Sequence, residues 1–279
     1  MSLLSPESLC VFVSPTELAA VHWCGLRPQI AAKRICPVAA LPGALWSGAA
    51  LAFTGLLAEF STCHRVWVIL SSHFTAYQLQ PWRDDLHDRQ EEDSVARLAF
   101  VQTYGDVAAN WQVRLSLDVP GSPRVATAVD ADFLAALEQG AMANKARLVS
   151  IEPYFAAAVN HWRKQFHRRF TGWVVLHEEG QLCIGLVKRG HWQWLRRLRV
   201  GPGWQASLPD LLDNEVMLAG IDSVASQALV YSSALAGLSM PANTRWSFRS
   251  LTLNARRNFA PATDSRFGPA LWTFQNATN

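Results

Sequence analysis

Hydrophobic and polar positions follow the same order twice along the chain. Residues 9–38 run apolar stretch, polar turn, apolar stretch, second turn, third stretch, and residues 172–200 repeat that order. Without gaps, Leu18 falls on Leu182 and Phe12 on Leu176, both 164 positions further on. The turns are Ser14-Pro15-Thr16-Glu17 and His177-Glu178-Glu179-Gly180, then Gly25-Leu26-Arg27-Pro28 and Lys188-Arg189-Gly190. Short apolar runs bounded by such turns read as strands, so each copy predicts a three-stranded meander. Two related α/β halves with a cleft between them follow, and such clefts are common binding sites.

Between the copies, residues 46–60 have helical spacing, with Leu45, Leu56, Leu57 and Phe60 as core candidates. The run Val66-Trp67-Val68-Ile69-Leu70 predicts a strand buried on both faces, followed by a turn and Tyr77-Gln78-Leu79. Charges over 82–93 form a solvated helix start ahead of Val95, Leu98, Ala99 and Val101. Residues 111–117 and 124–129 predict a hairpin about Pro120-Gly121-Ser122-Pro123. Asp130 caps a helix over 131–144 whose core face carries Phe133, Leu134 and Leu137. A strand over 147–152 leads into a helix that starts after Pro153 and ends near Phe166, and the basic run His167-Arg168-Arg169 marks a hinge. In the second half a helix over 208–219 has a proline in its first turn, and strands are expected over 227–232 and 245–253. The tail after Asn258 is poorly patterned, loose except where Phe267, Leu271 and Trp272 dock. The expected division is therefore 1–166 and 167–279, with a hairpin-helix insert at about 106–152.

Composition narrows the class. Half the residues are hydrophobic and 17% are charged, which is the make-up of a well-cored globular chain. A net charge of +3 is too small to imply nucleic acid or acidic lipid. Four of the 25 basic residues are lysine (Lys33, Lys145, Lys164 and Lys188), so arginine dominates, as in a G+C-rich genome or in arginine-led recognition of anions. The 12 tryptophans suit both a core and a partner interface. Five cysteines without a Cys-x-x-Cys pair indicate neither a disulfide framework nor a zinc site, and a reducing compartment follows. The start, Met1-Ser2-Leu3-Leu4-Ser5-Pro6-Glu7, lacks a signal-peptide pattern, and the apolar stretch 38–60 is too interrupted to span a membrane. A cytoplasmic protein is expected.

Among local features, His191-Trp192-Gln193-Trp194-Leu195-Arg196-Arg197-Leu198-Arg199 is the sharpest. Strand alternation would put Trp192, Trp194 and Arg196 on one side and Arg197 and Arg199 on the other. These five residues are the candidate partner-binding set; the structural alternative is a strand whose tryptophans pack under the next helix. No catalytic, cofactor or metal residues stand out. Glu178 and Glu179 read as a solvated hairpin tip, the histidines lack metal-ligand spacing, and the first strand has no carboxylate for a two-metal nuclease.

The order of elements resembles the actin-like ATPase superfold, built from two RNase H-like halves. Within it, the stretches Val125-Ala126-Thr127-Ala128-Val129-Asp130-Ala131-Asp132-Phe133-Leu134 and Arg147-Leu148-Val149-Ser150-Ile151-Glu152-Pro153-Tyr154 resemble cytoplasmic assembly proteins of type IV pili and type II secretion, the PilM and GspL group. The resemblance implies an α/β fold of two such domains and a scaffold that binds a short peptide of an inner-membrane partner. The assembly ATPase is a further candidate partner, and the protein itself would be cytoplasmic, peripheral at the inner membrane. Proteins of the superfold that use ATP place an Asp and glycine-rich turns after the first strand of each half, for metal and phosphate. Here those turns offer Ser14-Pro15-Thr16 and His177-Glu178-Glu179-Gly180, and the late adenosine contact would fall at Ser232-Ser233-Ala234 or Ala236-Gly237. Lost nucleotide motifs are therefore expected, with no cofactor. The alternatives are a divergent ATPase or sugar kinase using Asp118 or Asp130, and a nucleic-acid binder using residues 192–199.

Overall fold

A computed structural model describes residues 7–86, 88–166, 170–220, 226–235 and 238–276. The expected hinge at 167–169 and Ala236-Gly237 lie outside them. Strands β1 (Ser8–Val13), β2 (Glu17–Cys24) and β3 (Gln29–Pro37) form the first meander, and helix α1 (Ser47–Glu59) leads to β4 (Arg65–Leu70). Strand β5 (Thr75–Gln80), helix α2 (Arg89–Tyr104), and strands β6 (Trp111–Leu115) and β7 (Arg124–Asp130) follow. Helix α3 (Ala131–Ala143), β8 (Arg147–Pro153) and α4 (Tyr154–His161) complete the first half. The second half has β9 (Gly172–Glu178), β10 (Gln181–Lys188), β11 (His191–Arg199), α5 (Trp204–Ala219), β12 (Gln227–Ser232), β13 (Ser247–Ser250), α6 (Pro261–Asp264) and α7 (Gly268–Asn276).

The repeat is real in three dimensions. One sheet has the order β3-β2-β1-β4-β8 and the other β11-β10-β9-β12-β13. In both, the meander is antiparallel and the later strands run parallel to its first. Register agrees as well: Val13 pairs with Leu18, and His177, its counterpart, pairs with Leu182.

Alternation along the central strands divides the core into layers. Leu9, Val11 and Val13 face α1 and α3, while Cys10 and Phe12 face inward. In β9, Val174 and Leu176 join that inner core, and Trp173 and Val175 pack under α5. The inner core holds both sheets together through α4 and α7. Trp272 of α7 is fully buried among Tyr154 and Trp162 of the first half and Tyr231 of β12.

Several expectations need correction. The tail is helical over 268–276 and returns to lie against β1, β4 and α4, so residues assigned to the second half complete the first. The third sheet, β5-β7-β6, begins at Thr75, ahead of the 106–152 range, whereas β8, inside that range, pairs with β4 in the larger sheet. That range cuts across two sheets because β4 and β5, close in sequence, diverge at the turn after Leu70. Leu45 is 65% exposed, since it precedes α1 in a loop, and Leu98 is 56% exposed while Ala96 and Phe100 carry the buried face of α2. Helix α5 begins at Trp204, which places Pro209 inside it rather than in its first turn. Helix α4 ends at His161, with turns continuing to Phe166, and β13 is limited to four residues.

Candidate functional site

Among the concave surfaces built by this arrangement, two bear on function. The first is a cleft of about 780 Å³ where the C-terminal ends of β1 and β9 meet between the halves. The two turns equated by the repeat both line it. In the first, Ser14 N and Oγ donate to Glu17 O at 3.0 and 2.8 Å, and Glu17 N donates to Ser14 Oγ at 3.1 Å. Pro15 has no N–H, so this turn directs its polar groups inward upon itself. Arg266 brackets Glu17 and adds its charge at the rim.

The second turn is only in part the solvated tip its sequence suggests: Glu179 is exposed, but Glu178 is not. Glu178 is buried and accepts a hydrogen bond from Ser72 N of the first half at 2.8 Å. Burial pushes its carboxyl above the ordinary carboxylate range, opposed by hydrogen bonds from Ser72 and Ser71 and by Arg197. Arg197 crosses the same seam and donates to Ser72 O and, at 2.7 Å, to Thr75 O. His177 stacks on Trp204 with centroids 4.6 Å apart, and its Nδ1 lies 2.8 Å from Ser232 Oγ. Burial lowers its pKa to about 4, so the ring is neutral at physiological pH. Gly203 enters α5 from the left-handed region at φ +76°, which brings the helix start to the cleft without a capping side chain. The cleft is thus walled by Phe12, Pro15, Pro202, Trp204 and Leu235, and its buried carboxylate is already committed to the opposite half.

Asp118 and Asp130, weighed as metal or base groups, are not among the residues lining this cleft. Asp130 caps α3 by accepting from Asp132 N and Phe133 N at 2.8 and 3.3 Å. Asp118 accepts from Val119 N and lies 3.9 Å from His191 Nδ1.

The second surface is a groove of about 630 Å³ in the first half. Its walls are α3, the small sheet and β8, with Gln112, Arg114, Glu138, Met142, Arg147 and Ser150 at the lining. Strand β8 is at the edge of its sheet and β6 at the edge of the small one, so each has one side without a strand partner among the described residues. An unpaired strand edge offers N–H and C=O groups to an extended chain.

Strand β11 departs from the expected alternation. Its pairing with β10 slips between Leu186 and Val187, which leaves Gln193 as the extra residue. A bulge of this kind turns the following side chains over, so Trp192 joins the inner core whereas Trp194 joins the core under α5. Gly185 makes the room: a Cβ there would meet the Trp192 ring at 2.5 Å. Trp192 packs on Phe155 of α4, with centroids 5.0 Å apart. Trp194 Nε1 and Arg196 Nη1 donate to the buried Glu215 at 2.7 and 3.1 Å. Of the five candidates, Trp192 and Arg197 therefore reach the first half, Trp194 and Arg196 bind α5, and Arg199 is exposed.

Taken together, paired sheets of this topology with a cleft at the ends of their first strands define an actin-like ATPase fold. Among solved structures, the chain is similar to a PilM–PilN type IV pilus biogenesis complex at 12% identity and a TM-score of 0.65, over 96% of this chain and 98% of that one. It is similar also to the cytoplasmic domain of EpsL, an inner membrane component of the type II secretion system of Vibrio cholerae, at 12% identity and a TM-score of 0.58, over 95% and 94% of the two chains. A third likeness is to a Bacteroides thetaiotaomicron protein of actin-like ATPase fold and unknown function, at 11% identity and a TM-score of 0.56, over 84% and 83%. No protein-family model matches the chain, and no curated protein sequence does. Among the described residues no helix is long and apolar enough to cross a membrane.

Proposed function

We propose that this chain is a non-catalytic cytoplasmic scaffold in the assembly platform of a type IV pilus or type II secretion machine. It holds the cytoplasmic segment of an inner-membrane partner as an extended peptide in the groove of the first half, with the assembly ATPase as a second candidate partner. The observation that carries this reading is the open edge of β8, which borders a groove with apolar walls and charged groups at Arg114, Glu138 and Arg147. Main-chain pairing along β8 would supply affinity and the alternating pockets selectivity. The likeness to the PilM–PilN complex and to the EpsL domain supports the same reading at the level of fold. The cleft supports the non-catalytic part, because Glu178 and Arg197 join the halves where polyphosphate would have to enter.

The test uses labelled peptides copied from the N-terminal cytoplasmic segments of inner-membrane assembly proteins encoded beside this chain, read by fluorescence anisotropy. Saturable binding is expected, weakened at least tenfold by Met142→Arg, which fills the groove from a residue that is 68% exposed. Binding unaffected by that substitution would sink the groove. Saturable stabilisation by Mg-ATP, with hydrolysis abolished by replacing one carboxylate of the cleft, would sink the non-catalytic reading.

A further inference from the structure

At the end of the first sheet remote from the cleft, three side chains from separate elements converge. Glu7 precedes β1, His22 lies on β2 opposite Leu9, and Cys63 follows α1 in the turn toward β4. Their ligand atoms, Glu7 Oε2, His22 Nε2 and Cys63 Sγ, all lie within 4.8 Å of one another. Cys63 is buried, at 2% exposure. Glu7 Oε2 and His22 Nε2 face each other at 3.5 Å, within ion-pair distance; both atoms are buried, and neither makes a hydrogen bond among the described residues. Buried polar atoms normally find a partner, and a carboxylate oxygen left without one carries a desolvation cost. A cation among the three would satisfy all of them at once.

We propose that Glu7, His22 and Cys63 form a binding site for a borderline-soft divalent cation, with zinc(II) as the best match. The donor set decides the class. Thiolate and imidazole suit zinc, whereas magnesium and calcium take oxygen ligands. Spacing agrees, because metal–nitrogen and metal–oxygen bonds of about 2.0–2.1 Å at tetrahedral angles put the two donor atoms roughly 3.3–3.4 Å apart. The Glu7–His22 separation of 3.5 Å is close to that value. Tetrahedral bonds would put the thiol sulfur roughly 3.6 Å from the other two donors, so from separations within 4.8 Å it must close by little more than ~1 Å, a shift within reach of a side chain in a turn. His22 is held by pairing on both sides, to Leu9 and Ala32, and by the Phe60 ring 5.7 Å away. Three protein ligands leave a fourth position for water or an outside group. At roughly 20 Å along β1 from Ser14, the site is separate from the cleft, and it stands whether or not the scaffold reading does.

The experiment is metal binding to the purified full chain, first stripped with a chelator and then titrated with zinc(II) or cobalt(II) alone. One cobalt per chain is expected, with the sulfur-to-metal charge-transfer absorption and strong visible bands of a four-coordinate thiolate complex. Zinc should displace cobalt and raise Tm, and affinity should rise with pH because the thiol proton is released. Cys63→Ser should abolish the charge-transfer band. Glu7→Gln, at a residue ahead of the first strand where folding is least at stake, should lower affinity at least tenfold while circular dichroism stays unchanged. Substoichiometric binding, no charge-transfer band, or a band surviving in Cys63→Ser would overturn the proposal and leave an ordinary Glu7–His22 ion pair beside a buried thiol.

Discussion

Replacing Trp272 by alanine tests whether the last helix is the bolt that joins both halves. Trp272 is fully buried, and its ring centroid lies 5.2 Å from Tyr154, 5.3 Å from Trp162 and 5.3 Å from Tyr231. Two of these partners belong to the first half, Tyr154 in α4 and Trp162 just past its end, and one to β12 of the second. Truncating a buried Trp to alanine costs about 3–5 kcal/mol through lost transfer energy and the cavity left behind. Its indole N–H is buried without a hydrogen-bond partner among the described residues, so the expected effect is one of packing. For a domain of this size the loss corresponds to a fall in Tm on the order of 10 °C. Urea unfolding followed by tryptophan fluorescence and by circular dichroism gives the free energy from two probes. A double cycle with Tyr231→Leu isolates the contact between halves, expected at about 0.5–1.5 kcal/mol for an aromatic pair. A cost below about 1 kcal/mol for Trp272→Ala would refute the reasoning, since it would mean that α7 is a loosely applied tail.

Three further outcomes are expected. For Glu178→Gln the sign follows from burial: the folded carboxyl binds its proton more tightly than its ordinary value of 4.5. Wild-type stability is therefore lost progressively as pH rises from about that value through the folded-state pKa, while the amide variant feels no such loss; urea midpoints should diverge in favour of the variant as pH rises, and parallel curves would count against the buried carboxyl. Glu215→Ala strands Trp194 Nε1 and Arg196 without their shared acceptor, an expected cost of about 1–3 kcal/mol, and a neutral result in chemical denaturation would show that contact to be ornamental. Asp130→Ala removes the cap of α3 and should cost about 1 kcal/mol with peptide binding unchanged; a selective loss of peptide binding would return Asp130 to the list of functional groups.

Much of this architecture is legible because period-two alternation survives in both meanders. Val13 with Leu18 and His177 with Leu182 occupy the same register without a gap. The helix cap at Asp130 is likewise a local signal, and it acts as a cap. What escapes the sequence is whatever depends on contacts between distant segments. The bulge at Gln193 parts Trp192 from Trp194, and the Trp192 ring fills the space over Gly185 on a neighbouring strand. Helix α7 is short and opens with Gly268 and Pro269, so two anchoring side chains, Leu271 and Trp272, outweigh a weak local pattern. Glu7, His22 and Cys63 come from three elements at spacings that no linear motif encodes. Pairing of β8 at the sheet edge is equally invisible, because an edge is defined by the strand that is not beside it.

The repeat also shows how one backbone position can be given opposite uses. Ser14 and Glu178 occupy equivalent places, one residue past the register-matched ends Val13 and His177. In the first half the side chain folds back to close its own turn, bonding to Glu17. In the second it reaches across and binds Ser72 N, while Arg197 crosses nearby to Ser72 O and Thr75 O. Both donor and acceptor of the Ser72 peptide region are thereby taken by the opposite half. Opening the cleft would strand a buried carboxylate and a guanidinium, each a costly event without water or a new partner. A seam fastened in this way favours a fixed relation between the halves. The unpaired edge of β8 borders the other groove, whose lining includes neither Glu178 nor Arg197, so the proposed peptide site draws on none of the groups that fasten the halves.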